Sequence, residues 1–334
     1  MRETAADTGA AEGESMRSDE FTYRDEGGVP IHTYVWLPEE DAALRGVVQI
    51  AHGMAETALR YRRFAEALTA SGYAVYAGDH RGHGRTAGDR SKLGSIGRDG
   101  FRLMCAGMAQ LTELIRERHK KLPVFLFGHS MGSFLTQRYM YTYPEKVDGV
   151  ILSGSNGPQG SQLHLGIWLA KRVAARKGAE HRSPLLTQLT FGGYNRGFRP
   201  VRTPFDWLSR DPEEVDRYAA DPDCGAVFPA QFWVEFFTGL AELHRREQLE
   251  RIPKELPLLI ISGDRDPVGM RGKGIRRLEA LYRAVGMKEV TVKLYPGGRH
   301  ELLNEINREE VTRDVLAWLE TRLQGAAAVQ RAQK

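Results

Sequence analysis

The strongest structural signal in this chain of 334 residues lies in the segment Val124-Phe125-Leu126-Phe127-Gly128-His129-Ser130-Met131-Gly132-Ser133. A short apolar run, typical of a buried strand, leads into a Gly-x-Ser-x-Gly turn, and a helix-compatible stretch follows at 134–143. A serine at such a tight strand-to-helix turn has a strained backbone, and only small residues fit two positions on either side of it. Gly128 and Gly132 provide that room. We therefore interpret the turn as a nucleophile elbow, which holds the Ser130 hydroxyl clear of the sheet.

Strand-like and helix-like segments alternate on both sides of this elbow. A hairpin is predicted first, with β-forming residues at 21–24 and 31–37 around a Gly- and Pro-containing turn. Apolar runs typical of strands buried on both faces follow at 47–51, 74–77, 124–127, 150–152, 258–261 and 290–294. Helical candidates lie at 60–70, 101–120, 134–143, 273–285 and 306–323. This alternation predicts an α/β fold with a mostly parallel central sheet flanked by helices.

One long interval, 157–253, interrupts the alternation. It contains helical fragments separated by Pro and Gly but no buried strand. Because it is too long for an ordinary loop, we expect a helical cap, or lid, over the strand ends, and we call it the cap segment. The core of the fold is then predicted at 19–156 and 254–324, with a disordered N-terminal extension at 1–18 and a frayed C-terminal tail at 325–334.

The composition restricts the possible functions. With 41% hydrophobic residues, the chain can bury a large core. The net charge of +4 is small and the basic residues are dispersed, which argues against a nucleic-acid partner. The two cysteines, Cys105 and Cys224, lie in no metal-binding or redox motif, which is typical of a reducing compartment. Without a signal-peptide core or an apolar run of about 18 residues, the chain is expected in the cytoplasm.

The elbow serine has candidate partners further along the chain. A serine hydroxyl is a poor nucleophile at neutral pH and needs an adjacent histidine, which a carboxylate holds in the right tautomer. Asp266 follows the predicted strand at 258–261, and His300 follows the predicted strand at 290–294. Serine, then acid, then histidine is the order expected of this fold. We therefore predict Ser130 as nucleophile, Asp266 as orienting carboxylate and His300 as general base and acid.

Other polar residues near these positions have simpler interpretations. Asp264 is better placed than Asp266 to accept hydrogen bonds from turn amides, and Glu301 is interpreted as a helix-start or surface charge. Asp79, His80 and His83 could suggest metal ligands. Glycines and an arginine interrupt them, however, so we expect them to bond neighbouring backbone groups and predict no metal site.

Attack of a serine hydroxyl on a carbonyl also requires donors for the oxyanion that forms. The backbone N–H of Met131, the residue after the predicted nucleophile, is one candidate. The second is expected in the loop after the strand at 47–51, where His52-Gly53-Met54 places a glycine that allows close approach of the backbone. We predict the N–H of Met54 for this role.

Taken together, these segments resemble the α/β-hydrolase superfamily, and more narrowly its monoacylglycerol lipase and lysophospholipase-like branch, also called serine aminopeptidase S33-like. The motifs that carry the resemblance are His52-Gly53-Met54-Ala55-Glu56, Gly78-Asp79-His80-Arg81-Gly82-His83-Gly84, Gly128-His129-Ser130-Met131-Gly132, Ser262-Gly263-Asp264-Arg265-Asp266-Pro267-Val268-Gly269 and Tyr295-Pro296-Gly297-Gly298-Arg299-His300-Glu301. The likeness covers 21–323 apart from the cap segment. It implies the same catalytic and oxyanion residues, and a cap inserted between the sixth and seventh strands.

The aromatic side chains of the cap segment are candidates for an apolar acyl pocket. They are Trp168, Phe191, Tyr194, Phe198, Phe205, Trp207, Phe232, Trp233, Phe236 and Phe237. Trp168, Phe198, Trp233 and Phe237 are the predicted substrate-binding residues, although aromatic residues of a cap also form its own core. The predicted helix at 163–176 combines apolar residues with a basic edge, so transient contact with a membrane surface is one interpretation and a packed cap helix is the other.

The predicted function is that of a serine esterase or lipase. Its substrate would be a small carboxylic ester with a fairly apolar acyl chain, monoacylglycerol- or lysophospholipid-like, cleaved through an acyl-enzyme without metal or organic cofactor. Three alternatives remain: acyl transfer to an alcohol or amine, aminopeptidase action on small peptides, and a non-catalytic ligand-binding hydrolase fold. The complete set of catalytic residues argues against the last. The sequence makes no prediction of oligomeric state.

Overall fold

The computed structural model describes residues 16–332, with side chains as far as residue 324. The predicted hairpin and the predicted strands are all present. They are β1 (Met16–Arg24), β2 (Pro30–Pro38), β3 (Gly46–Ala51), β4 (Tyr73–Gly78), β5 (Val124–His129), β6 (Gly149–Ser153), β7 (Leu258–Gly263) and β8 (Val290–Tyr295). They form one eight-stranded sheet in the order β1-β2-β4-β3-β5-β6-β7-β8. From β4 to β8 all neighbours are parallel, whereas β1 and β2 pair antiparallel at one edge. This sheet confirms the predicted α/β fold with a mostly parallel central sheet.

Helices cover both faces of the sheet. They are α1 (Arg62–Ala70), α2 (Gly100–Arg118), α3 (Met131–Thr142), α4 (Gln162–Lys177), α5 (Pro184–Phe191), α6 (Pro212–Ala220), α7 (Ala230–Glu242), α8 (Arg246–Leu249), α9 (Lys273–Ala284) and α10 (Arg308–Ala332). Side chains of α1 and α10 pack on one face, and those of α2, α3 and α9 pack on the other. Alternate residues of β3 lie on opposite faces of the sheet: Val48 and Ile50 belong to one core, and Val47 and Ala51 belong to the other. This two-sided burial explains why the central strands are continuous apolar runs.

The strand at 290–294 differs from the prediction. It was expected to be buried on both faces, but the side chains of β8 between Val290 and Tyr295 are half-buried or exposed. The reason is its position, because β8 is an edge strand with β7 as its sheet neighbour.

Both predicted chain ends need correction where the structure describes them. β1 begins at Met16, so residues 16–18 belong to the sheet and not to an N-terminal extension. Met16 pairs with Pro38 and buries its side chain beside Trp36. At the other end, α10 continues to Ala332 through most of the predicted tail, which is rich in the strong helix formers Ala and Gln. The remainder of the two predicted termini, 1–15 and 333–334, lies outside the described residues.

The cap segment lies between β6 and β7 and contains α4 to α8. Its helix α7 packs against the core through Phe236, whose ring lies 6.1 Å from that of Phe101 and 6.0 Å from that of Phe134. Tyr218 of α6 donates a hydrogen bond to the carbonyl of Ala55, in the loop after β3. The segment therefore meets the core at the carboxyl ends of the strands, where ligands bind in open α/β sheets. Among the helices of residues 16–332, none is both long and apolar enough to cross a membrane.

Candidate active site

Ser130 occupies the turn between β5 and α3 with a φ of +51°. A non-glycine residue at positive φ is strained, as predicted for an elbow. The glycines on either side of it are required because a larger side chain would collide with neighbouring atoms. A Cβ on Gly132 would lie 2.1 Å from the carbonyl oxygen of Ala51, and a Cβ on Gly128 would lie 2.3 Å from the hydroxyl of Thr136. Packing of α3 against β3 and β5 thus fixes the position of Ser130 at the sheet edge.

The side chains of Ser130, His300 and Asp266 meet in the folded chain. Nε2 of His300 lies 2.8 Å from Oγ of Ser130, and Nδ1 lies 3.0 Å from both carboxylate oxygens of Asp266. A carboxylate only accepts hydrogen bonds, so Nδ1 carries the proton and Nε2 offers its lone pair to the serine hydroxyl. This is the arrangement in which an imidazole can take a proton from a hydroxyl as that hydroxyl attacks a carbonyl.

The surroundings of this set give Asp266 two hydrogen-bond donors and keep His300 basic. Asp266 is fully buried and accepts hydrogen bonds from the N–H of Val268 at 2.8 Å and from the hydroxyl of Ser262 at 3.4 Å. Burial alone lowers the pKa of His300, but the Asp266 carboxylate and, less strongly, Glu301 outweigh it, and the pKa is raised above its usual value. The protonated form of His300 is therefore stabilised by its neighbours.

Asp264 has the turn-binding position expected of it. Its carboxylate accepts a hydrogen bond of 2.7 Å from the N–H of Gly297, in the loop that leads to His300. It therefore holds the loop while Asp266 contacts the imidazole.

The two predicted oxyanion donors, the N–H groups of Met54 and Met131, lie in segments beside Ser130. Met131 is the first residue of α3, where N–H groups have no intrahelical partner and the helix dipole favours negative charge. Met54 and Gly53 line the same cavity as Ser130, and a Cβ on Gly53 would lie 3.2 Å from the Cβ of Ser130. Within residues 16–332, the N–H of Met54 donates to no other protein group. Both amides are thus available near the hydroxyl.

A buried ion-pair network beside the site was not predicted. The Arg60 guanidinium binds both oxygens of Glu301 at 2.7 Å and one oxygen of Glu56 at 2.6 Å. Glu56 also accepts from the N–H of Gly53 and the hydroxyl of Tyr61. Burial raises the pKa of Glu56, whereas the bidentate bond to Arg60 overcomes burial at Glu301 and lowers its pKa to about 2. Of the two interpretations of Glu301, the surface charge is therefore wrong, because Arg60 neutralises it inside the protein. The other is confirmed, since Glu301 directly precedes a short 3-10 helix, Leu302–Asn304.

Trp207 was one of the aromatic candidates for the acyl pocket, but its contact with His300 was not predicted. Its indole lies 5.0 Å from the imidazole of His300, measured between ring centroids, and His129 lies 4.8 Å away. A backbone hydrogen bond joins the same two segments, since the N–H of Glu301 donates to the carbonyl of Leu208 at 2.7 Å. The spacing of aromatic residues in the cap segment contains no signal that one of them touches His300. For Arg60 the sequence did contain a signal of an ion pair, because an acidic residue lies four positions earlier, shortly after the His-Gly pair.

A cavity of about 330 Å³ opens onto Ser130 and His300. Its lining combines apolar side chains with a few polar groups. It includes Gly53, Met54, Ala55, Glu56, His129, Ser130, Thr187, Gln188, Phe191, Gly192, Asn195, Pro204, Phe205, Trp207, Leu208, Tyr218, Gly225, Ala226, His300 and Glu301. Such a mixture is typical of a small-molecule site.

The predicted substrate-binding residues lie elsewhere. In the part of the chain that the structure describes, the cavity lining includes none of Trp168, Phe198, Trp233 and Phe237. Trp233 is buried in the core of the cap segment with Phe237 at its edge, Trp168 is 54% exposed, and Phe198 lies under the guanidinium of Arg299. The structure instead places the aromatic side chains of Phe191, Phe205 and Trp207 around the cavity.

The segment that could suggest metal ligands has the predicted structural role in part. Asp79 accepts hydrogen bonds from the N–H groups of Ala58 and Arg85, both at 2.8 Å. His83 donates from Nδ1 to a backbone carbonyl. His80 differs from the prediction, since its buried Nε2 has no partner among the described residues. These side chains hold the loop after β4 against the loop that contains Met54.

Fold and site together define an α/β-hydrolase, with a serine, a histidine and a carboxylate at the carboxyl edge of the sheet. The sequence model of the family described as serine aminopeptidase, S33, matches residues 42–307, and the chain belongs to that family.

Characterised relatives support the same class. The chain is 32% identical to a monoacylglycerol lipase of Mycolicibacterium smegmatis, over 92% of this chain and 99% of the relative. It is 27% identical to the monoglyceride lipase of Mus musculus, over 88% of each chain. The crystal structure of a thermostable carboxyl esterase from Bacillus coagulans in complex with glycerol superposes with a TM-score of 0.84 and 28% identity, over 92% of this chain and 99% of that chain. The protein is therefore an ester-cleaving serine hydrolase, and it acts on small-molecule esters.

Proposed function

We propose that this protein hydrolyses monoacylglycerols, with Ser130 as the nucleophile, His300 as the general base and acid, and Asp266 as the carboxylate that orients His300. The observation that carries the proposal is the position of the His300 ring, with Ser130 at one nitrogen and Asp266 at the other. Ser130 attacks the ester carbonyl while its proton passes to Nε2 of His300. The imidazolium then protonates the departing glycerol oxygen, and water resolves the acyl-enzyme by the reverse proton path.

The amides of Met54 and Met131 are proposed to bind the oxyanion of each tetrahedral intermediate. Both lie beside Ser130, and the N-terminus of α3 adds its positive end at Met131. Such preorganised donors act most strongly where water is excluded, and the cap segment covers this edge of the sheet.

The charge of the cavity supports a neutral ester over a lysophospholipid. Of the described residues, those lining the cavity include no Lys or Arg that could bind a phosphate. Arg60 lies behind the lining, where its guanidinium is already paired with Glu56 and Glu301. The amide of Gln188 in the lining can bond to glycerol hydroxyls, whereas that of Asn195 already bonds to the backbone of Thr203 and Trp207.

The same lining argues against aminopeptidase action, despite the family's description. An aminopeptidase must bind the ammonium group of its substrate, for which a free carboxylate is the usual partner. Glu56 and Glu301 are the carboxylates that line the cavity in residues 16–332, and Arg60 binds both.

The outer face of α4 and α5 is proposed to contact the lipid surface from which the substrate is drawn. Leu165, Trp168, Leu185 and Leu189 are 66%, 54%, 53% and 63% exposed. Lys171 and Arg172 follow on α4 and can approach anionic headgroups. The cytoplasmic location expected from the sequence remains a prediction, with which the free cysteines Cys105 and Cys224 agree.

The test is hydrolysis of monoacylglycerols of increasing chain length, with lysophosphatidylcholine and an amino-acid p-nitroanilide as competing substrate classes. We expect release of free fatty acid from monoacylglycerol, and loss of this activity and of fluorophosphonate labelling in Ser130→Ala. Cleavage of the anilide in preference to the glyceride, or full activity of Ser130→Ala, would contradict the proposal. Transfer of the acyl group to added glycerol in place of release would identify an acyltransferase.

A further inference from the structure

We propose that His52 is a positioning residue for the oxyanion hole, because its imidazole holds the Gly53–Met54 peptide with the N–H of Met54 turned toward Ser130. The inference rests on the proposed function, in which this N–H binds the oxyanion. His52 is not among the residues that line the cavity, so its effect on catalysis would be indirect.

The hydrogen-bond partners of His52 define its tautomer. Nδ1 lies 2.8 Å from the carbonyl oxygen of Gly53, and Nε2 lies 2.9 Å from the backbone nitrogen of His80. A carbonyl oxygen can only accept and a backbone N–H can only donate, so Nδ1 carries the hydrogen and Nε2 carries the lone pair. His52 is fully buried, which lowers its pKa well below the usual value and keeps the ring in this neutral form.

Peptide geometry connects that hydrogen bond to the proposed oxyanion donor. The carbonyl of Gly53 and the N–H of Met54 belong to one trans peptide group, in which the two point in opposite directions. When His52 holds the carbonyl on its side, the N–H of Met54 faces away from His52. Met54 and Gly53 both border the cavity that contains Ser130, and this N–H has no other protein partner within the described chain.

The peptide on the other side of Gly53 is held as well. The N–H of Gly53 donates to Oε1 of Glu56 at 2.5 Å. A glycine can rotate its flanking peptides more freely than other residues. Two hydrogen bonds from buried side chains, one on each peptide, remove that freedom and fix the donor before substrate arrives. A hydrogen bond to the carbonyl also polarises the amide and strengthens its N–H as a donor.

Two substitutions separate the two nitrogen atoms of His52. In His52→Asn the side-chain amide nitrogen lies near the position of Nδ1 and can still donate to the carbonyl of Gly53. In His52→Gln the side-chain oxygen can reach the position of Nε2 and accept from His80, but the donor to Gly53 is lost. Both variants bury an uncharged amide, so they are matched in polarity.

The measurements are kcat and KM for a monoacylglycerol, together with the affinity of a trifluoromethyl ketone of the same chain length, whose hemiketal reproduces the oxyanion. All rates are expressed per active site titrated to completion with a fluorophosphonate, so that unfolded protein does not count. We expect His52→Gln to lose about 10- to 100-fold in kcat, with KM nearly unchanged and a matching loss in ketone affinity. His52→Asn should retain most of kcat and of ketone affinity.

Equal losses in the two variants, or a loss confined to KM, would overturn the proposal, because a structural role alone does not distinguish the two nitrogens. Failure of the proposed function has a different signature: the unmodified protein would then show no monoacylglycerol hydrolysis, or Ser130→Ala would retain it.

Discussion

The indole of Trp207 lies against the imidazole of His300, with ring centroids 5.0 Å apart and ring planes inclined by 38°. Trp207 also stacks on Phe191 at 5.8 Å, so an aromatic wall runs from the cap segment to the proposed base. An aromatic face attracts a cation at this distance. The contact therefore favours the imidazolium that His300 becomes during proton transfer.

Replacing Trp207 by Leu should lower both kcat and the pKa of His300. Loss of a contact between a cation and an aromatic ring costs about 0.5–2 kcal/mol, which corresponds to a loss of about 2- to 30-fold in kcat. A less stable imidazolium has a lower pKa, so the acidic limb of the kcat/KM profile should move to lower pH. The other groups that act on the charge of His300 are unchanged in this variant; they are Asp266, Glu301, Glu56 and His129.

The matched variant is Trp207→Phe, which keeps an aromatic face and should show smaller changes of the same sign. The interpretation fails if the acidic limb stays in place in Trp207→Leu while KM alone rises, since the indole would then serve only the substrate.

Asp266→Asn should inactivate the enzyme without unfolding it. The asparagine oxygen can still accept from the N–H of Val268, but its NH2 group faces Nδ1 of His300 and favours the tautomer with the proton on Nε2. We expect kcat to fall by about 10³- to 10⁴-fold. Asp264→Asn is the control: it keeps an acceptor for the N–H of Gly297, so kcat should stay within about twofold. Comparable losses in both variants would show that the assignment of Asp266 is wrong.

Arg60→Met should be strongly destabilising. It leaves the buried carboxylates of Glu56 and Glu301 without a counter-charge, and breaking a buried pair in this way costs about 3–5 kcal/mol. The free energy of unfolding is measured by urea denaturation. Arg246→Met, which breaks an exposed pair with Glu250, should leave that free energy unchanged. Adding Glu56→Gln and Glu301→Gln to Arg60→Met should recover part of the loss, and no recovery would contradict the electrostatic explanation.

Protonation of buried histidines should make the protein sensitive to acid. Burial lowers the pKa of His80 to about 3, of His83 to about 4 and of His129 to about 3. The unfolded chain binds protons near pH 6.5 and the folded chain does not, so their contribution to stability is complete above that pH and is lost as pH falls toward 4. Each histidine contributes a slope of about 1.4 kcal/mol per pH unit in this window.

Urea denaturation at pH 7, 5.5 and 4.5 measures that slope. His80→Phe keeps a ring against His52, 4.3 Å away in the native protein, and removes one titrating group. The change of its free energy of unfolding with pH should be smaller by the contribution of about one proton. An unchanged slope would mean that His80 does not contribute.

The exposed face of α4 should determine binding to lipid vesicles. Leu165→Glu combined with Trp168→Glu places charges where the apolar side chains would enter the interface, and we expect weaker co-sedimentation with anionic vesicles. Hydrolysis of a dissolved short-chain ester should be unaffected. Ile306→Glu changes an equally exposed side chain outside the cap segment and serves as control. Arg172 lies over the Trp168 ring, so equal binding of all variants would instead support a purely local role for this pair.

Local sequence predicted the elbow and the sheet, because their signals lie within a few neighbouring residues. An apolar run followed by Gly128, Ser130 and Gly132 allows one kind of turn, and the order of Ser130, Asp266 and His300 along the chain matches the order of strand ends. Even Asp264 could be separated from Asp266 by turn chemistry alone.

Only the tertiary structure decided which residues surround those three side chains. Trp168 and Trp233 have the same aromatic character in the sequence as Trp207, yet only Trp207 reaches His300, because the packing of the cap helices against each other determines which side chains turn inward. Likewise, Glu301 has the sequence pattern of a surface charge and is buried because Arg60, far away in the chain, binds it. The sequence by itself was enough to predict the three side chains proposed to react, since their chemistry and strand-end positions are local properties. Contacts between distant segments determined the shape, charge and preorganisation of the site, because these depend on which surfaces meet when the chain folds.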